Sequence, residues 1–105
     1  MRKTYNKLVR DRIPEVMDAA GKAYTVRELR DDEYVAQLIA KLHEEASEVS
    51  ESGGDIEELA DTLEVIHALC VAKGHTLEEL EVVRGQKAET RGGFQRRLFL
   101  VDGEV

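Results

Sequence analysis

Glu44-Glu45-Ala46-Ser47-Glu48-Val49-Ser50-Glu51-Ser52-Gly53-Gly54-Asp55-Ile56-Glu57-Glu58-Leu59-Ala60-Asp61 lies at the middle of a 105-residue chain, and its reading decides the fold. A glycine pair divides two acidic signatures, Glu45-x-x-Glu48 before it and Glu58-x-x-Asp61 after it. Residues three apart on a helix are neighbours on one face, with Cβ atoms about 5–6 Å apart. An antiparallel helical hairpin closed at Gly53-Gly54 would bring all four carboxylates to one patch. Oxygen-only donors of this kind suit a hard divalent cation, which takes carboxylates, phosphate oxygens and water.

On the N-terminal side of the glycine pair, Val35, Leu38, Ile39, Leu42, Ala46 and Val49 recur at helical spacing, which predicts a helix over residues 32–52 with Asp31 or Asp32 as its cap. Glu45 lies at the edge of that stripe. On the other side, Ile56, Leu59, Leu63, Val65, Ile66, Leu69 and Cys70 form the apolar arc of a helix over 55–73, with Asp55 and Glu58 at capping-box spacing and Gly74 as its stop. Glu58 falls inside that arc beside Val65 and Leu69, and Asp61 at its border. A carboxylate among apolar residues is costly unless it is paired or bound to a cation.

Further out, Ile13-Pro14-Glu15 opens a short helix closed by Gly21, because proline is tolerated in the first helical turn. Thr76-Leu77-Glu78-Glu79 is a capping box that starts a fourth helix over 77–90, with Leu77, Leu80 and Val83 inward. Residues 24–29 and 94–101 are β-branched and aromatic enough to be extended, as short strands. The expected fold is one all-α domain spanning 1–105, with extended end segments and a core small enough to favour an oligomeric bundle.

The formal charge of −7 conceals a segregated pattern. Residues 1–12 hold five bases against Asp11, and residues 84–97 hold five against Glu89, a net of +4 each. Residues 31–64 hold twelve acids against Lys41 alone, a net of −11. An acidic middle repels a nucleic-acid polymer, whereas a cation carrying a polyphosphate uses both signs of charge. Lys7, Arg10, Arg12, Lys87 and Arg91 are the candidate phosphate grips, since guanidinium forks and ammonium groups bind phosphate oxygens. A single cysteine, the absence of an apolar leader and the lack of a membrane-length apolar run lead to the expectation of a reduced, cytoplasmic protein with no membrane partner.

Other residues read as structural. Glu64-x-x-His67 has the spacing of di-iron carboxylate bundles, but such bundles need two copies facing inward and this chain has one. Cys70 lies on an apolar face without a neighbouring base and reads as a packed thiol. Tyr34 shares the carboxylate side of its helix.

The acidic pairs, together with Tyr5-Asn6-Lys7-Leu8-Val9-Arg10-Asp11-Arg12-Ile13-Pro14, Ala60-Asp61-Thr62-Leu63-Glu64-Val65-Ile66 and Arg91-Gly92-Gly93-Phe94, resemble the all-α NTP pyrophosphatases of the MazG-like and phosphoribosyl-ATP pyrophosphohydrolase-like superfamily, in a small single-domain branch. The resemblance covers nearly the whole chain. It implies hydrolysis of a nucleoside triphosphate or related nucleotide between the α- and β-phosphates, with Mg2+ (or Mn2+) held by Glu45, Glu48, Glu58 and Asp61. A water molecule made more acidic by the cation would be the nucleophile, and Glu44 or one of the ligating glutamates such as Glu45 its base. It also implies a homodimer or homotetramer. The alternative expectation is a non-catalytic helical module of the same fold that binds a nucleotide or a protein.

Overall fold

The computed structural model describes residues 1–105 and is all-helical, with α1 at Ile13–Ala19, α2 at Asp31–Ser52, α3 at Ile56–Ala72 and α4 at Leu77–Arg91. There is no strand. Residues 24–29 and 94–101 are non-helical, but neither runs beside a second segment that would satisfy its N–H and C=O groups, so strand propensity finds no ladder. The first of these segments is tied down by side chains instead. Tyr24 donates its hydroxyl to Asp18 at 3.1 Å, and Arg2 donates to Thr25 at 3.1 Å.

The turn between α2 and α3 is made by glycine for a steric reason. Gly53 and Gly54 have φ of +71° and +89°, a left-handed region that costs an L-residue about 1–2 kcal/mol. Their N–H groups close the helix end on Ser50 O and Val49 O, at 3.3 and 2.9 Å. The expected caps match the structure only in part. Arg30, not Asp31 or Asp32, occupies the cap position of α2, and the acids sit in the first helical turn, where they face the positive end of the helix dipole. Asp55 occupies the cap position of α3, as expected, but its side chain makes no capping bond, and its backbone N–H donates to Ser52 Oγ at 3.1 Å. At α4, Thr76 Oγ1 accepts from the Glu79 N–H at 3.0 Å, one half of the expected capping box, while the Glu79 carboxylate faces His75 Nδ1 at 3.2 Å instead of the Thr76 N–H.

Helices α2 and α3 pack on each other, α4 touches α3 alone, and α1 packs on no other helix. Leu38 at 2% and Val65 at 8% exposure are the only buried apolar residues, so the interior is a seam between two helices rather than a core. Val35, Leu42 and Val49 of the α2 stripe are half-buried, while Ile39 and Ala46 face outward. On α3, Ile66, Leu69 and Cys70 are half-buried, but Ile56, Leu59 and Leu63 remain exposed because an arc this wide exceeds what one facing helix covers. Of the α4 residues expected inward, Leu80 is half-buried and Leu77 and Val83 are exposed. The Cα radius of gyration is 18.0 Å, against about 13 Å for a compact domain of this length.

Candidate metal centre

The seam carries charge where a two-helix core would ordinarily carry leucine. Glu45 follows Leu38 by seven residues on α2, and Glu58 precedes Val65 by seven on α3. Seven residues are close to two helical turns, so each carboxylate shares the inward face with the most buried apolar residue of its helix. Glu45 is 6% exposed, the one buried charged residue of the chain. The helical wheel put Glu45 at the edge of its stripe and Glu58 inside its arc, yet Glu45 is the deeper of the two. Its register with Leu38 was the signal for this.

Glu45, Glu48, Glu58 and Asp61 each offer one carboxylate oxygen to a group whose members all lie within 4.8 Å of one another. In octahedral geometry at about 2.0–2.1 Å, opposite ligands of Mg2+ are about 4.2 Å apart, and ligands of Ca2+ at about 2.3–2.6 Å span about 5 Å. The cluster therefore has the size of a hard-cation cage, opened by a few tenths of an ångström in the direction that carboxylate repulsion dictates. Two of its oxygens, Glu45 Oε2 and Glu58 Oε2, are occluded from solvent and have no hydrogen-bond partner. A buried carboxylate oxygen without a donor costs several kcal/mol unless a cation satisfies it.

Basic side chains engage the rim of the cluster. Arg10 Nη2 is 2.6 Å from Asp61 Oδ1, and Lys7 Nζ is 3.1 Å from Glu44 Oε1. Both come from the non-helical N-terminal segment, in which Leu8 and Val9 are half-buried. Lys41 Nζ reaches Glu44 Oε2 at 3.2 Å and Glu45 Oε1 at 3.4 Å. Sequence reasoning gave Lys41 no role, although it is the sole base of the acidic stretch and stands three and four residues before the two glutamates.

These contacts separate the two adjacent glutamates electrostatically. Burial, hydrogen bonding to Glu48 and the charge of Glu48 hold the Glu45 carboxyl above the usual carboxylate range, against the opposing pull of Lys41. Burial acts in the same direction on Glu44, but the combined hydrogen bonds and charges of Lys7 and Lys41 outweigh it and leave Glu44 below that range. Glu44 thus stays ionised more readily than its neighbour.

The remaining candidate residues lie elsewhere. Arg12 sits at the N-cap position of α1 and makes no ion pair. Lys87 and Arg91 are not joined to the acidic cluster of their own chain; with Val83, Gln86 and Thr90 they line a depression of about 240 Å3 on α4. Tyr34, Glu64 and His67 line a different depression of about 420 Å3, with Ala68, Val71, Ala72 and Leu77, so the Glu64-x-x-His67 pair takes no part in the cluster. The Cys70 thiol donates to Thr76 O at 3.4 Å.

No protein-family model matches the chain, and no solved structure matches it. Among curated proteins, an uncharacterized protein of Mycolicibacterium smegmatis is 56% identical to it over 43 residues. Those residues are 41% of this chain and 44% of the relative, so the chain spans less than half the length of the relative it matches. No helix is long and apolar enough to cross a membrane.

Proposed function

We propose that this chain is a Mg2+-dependent nucleotide pyrophosphohydrolase of the MazG-like and phosphoribosyl-ATP pyrophosphohydrolase-like kind, built on an antiparallel α2–α3 hairpin. The observation that carries the reading is Glu45, 6% exposed with Oε2 unpartnered, as one of four carboxylates that each bring an oxygen within 4.8 Å of the others. Solvated acidic faces are common, but they do not bury a carboxylate oxygen without a donor, as Oε2 of Glu45 is buried. Glu45, Glu48, Glu58 and Asp61 are the residues that would hold the ion. When bound, Mg2+ neutralises phosphate charge and makes water more acidic.

The chain's own groups account for the rest. Lys7 and Arg10 have half-exposed side chains, at 43% and 57%, and lie at the rim where a polyphosphate would approach. Each would exchange a carboxylate oxygen for a phosphate oxygen, with the arginine fork giving the more directional grip. Glu44 is ionised and adjacent, and accepts the proton of the attacking water. Water is consumed, the α–β phosphate linkage breaks, and a nucleoside monophosphate and pyrophosphate result.

The exposed apolar residues support a homodimer or homotetramer. Ile56, Leu59 and Leu63 of α3, at 73%, 46% and 50% exposure, share a helix side that faces no other element. A continuous apolar patch of this kind marks a surface that another molecule covers. A neighbouring copy is also the route by which Lys87 and Arg91 would face a cluster that they do not reach in their own chain.

Pyrophosphate release, followed over a panel of ordinary and modified triphosphates plus phosphoribosyl-ATP, tests the reading. Glu58→Gln and Asp61→Asn are expected to abolish release with saturating Mg2+ while the helical circular dichroism is unchanged. Turnover at the wild-type rate in both variants would remove the proposed site. Nucleotide binding without any release by the wild type would instead make the protein a binding module.

A further inference from the structure

The carboxylates of the centre and the bases that touch them form an account of charge. Glu44, Glu45, Glu48, Glu58 and Asp61 carry five negative charges, and Lys7, Arg10 and Lys41 carry three positive ones. The remainder, −2, is what one divalent cation neutralises. The bases also divide the oxygens. Glu44 Oε1 and Oε2, Glu45 Oε1 and Asp61 Oδ1 each have a nitrogen within 3.4 Å, whereas Glu45 Oε2 and Glu58 Oε2 are occluded and unpaired.

Lys41 differs from the other two bases. Lys7 and Arg10 belong to a non-helical segment and are half-exposed, free to leave when phosphate oxygens arrive. Lys41 is on α2 itself, its side chain only 16% exposed, and its ammonium bridges two neighbouring carboxylates at 3.2 and 3.4 Å. In two-metal phosphoryl-transfer sites a second ion stands about 3.5–4 Å from the first and supplies a second positive charge beside it. Building on the metal reading above, we propose that Lys41 is a built-in cation occupying the place of a second metal ion, so that the free protein takes one divalent cation per chain.

The test uses the full chain without nucleotide and Mn2+ as the probe, with bound ion counted from the loss of the free-Mn2+ electron paramagnetic resonance signal at saturation. The expected counts are one Mn2+ per chain for the wild type, two for Lys41→Met, which keeps the aliphatic stem, and one for Lys41→Arg, which keeps the charge. Lys41→Gln is a second neutral variant, in case the first loses its helical circular dichroism. A wild type that binds two ions overturns the proposal and leaves the metal centre standing. So does a wild type binding one ion with a folded neutral variant that also binds one. A wild type that binds none fails the metal centre itself, and the role of Lys41 with it.

Discussion

Two basic segments of equal net charge flank the acidic middle of this chain, and they end in different places. The N-terminal segment delivers Arg10 to Asp61 at 2.6 Å and Lys7 to Glu44 at 3.1 Å. The C-terminal one leaves Lys87 and Arg91 lining a depression of their own on α4. The difference is mechanical. Residues 1–12 are non-helical and meet α2 and α3 through Lys7 and Arg10, whereas Lys87 and Arg91 are fixed on a helix whose contact is with α3 alone. Charge complementarity draws groups together only where the backbone lets them travel.

That contrast can be broken by substitution. The largest effect is expected in catalysis: Arg10→Ala should lower kcat/KM for pyrophosphate release about 100-fold, the worth of a charge-assisted phosphate contact of about 1.5–3 kcal/mol. A smaller effect of opposite sign is expected in ion binding without nucleotide. Arg10 occupies an oxygen of Asp61, so its removal should tighten Mg2+ by about tenfold, equivalent to about 1.4 kcal/mol. Lys87→Ala should leave Mg2+ affinity unchanged. Calorimetric titration of the three proteins reads both; equal shifts in Arg10→Ala and Lys87→Ala would erase the distinction between the two segments.

The smallest effect is in stability against pH. Glu45, raised by burial and by Glu48, favours the folded state when protonated, so its contribution is present below the ordinary carboxylate range and is lost as pH rises through its raised value. Glu44 is lowered, so its contribution is present above the ordinary range and is lost as pH falls through its own value. Above the ordinary carboxylate range, where Glu44 stays ionised, Glu45 governs the pH dependence of the metal-free protein. Its melting temperature should rise on acidification by a few degrees more than that of Glu45→Gln, and saturating Mg2+ should remove the difference. Parallel melting curves for the two metal-free proteins would contradict this.

Much of the fold was legible because periodicity and punctuation agreed. The helices were readable from apolar spacing, with ends within a residue or two, since Gly53-Gly54, Gly74 and Gly92 punctuate the chain where the pattern changes. The grouping of the four carboxylates was readable from i,i+3 spacing together with the Gly53-Gly54 break that folds one helix back on the other. The strands were not, because β-propensity at 24–29 and 94–101 says nothing about whether a partner strand exists. Asp55 was readable as the cap position of α3, but not that its side chain makes no bond there, since its backbone N–H goes to Ser52 Oγ. Lys41 went unread for a different reason: a lone base in an acidic run looks like a solvated surface charge until the facing helix is in place and its side chain is seen to be 16% exposed.

The central claim is that Glu45, Glu48, Glu58 and Asp61 together hold a divalent cation. Anomalous diffraction at the manganese edge from crystals grown with Mn2+ measures this most directly. The account predicts a peak enclosed by these four side chains, with Glu45 Oε2 and Glu58 Oε2 turned toward it. Density showing the four carboxylates ordered and apart, with the anomalous signal elsewhere or absent at saturating Mn2+, would contradict it.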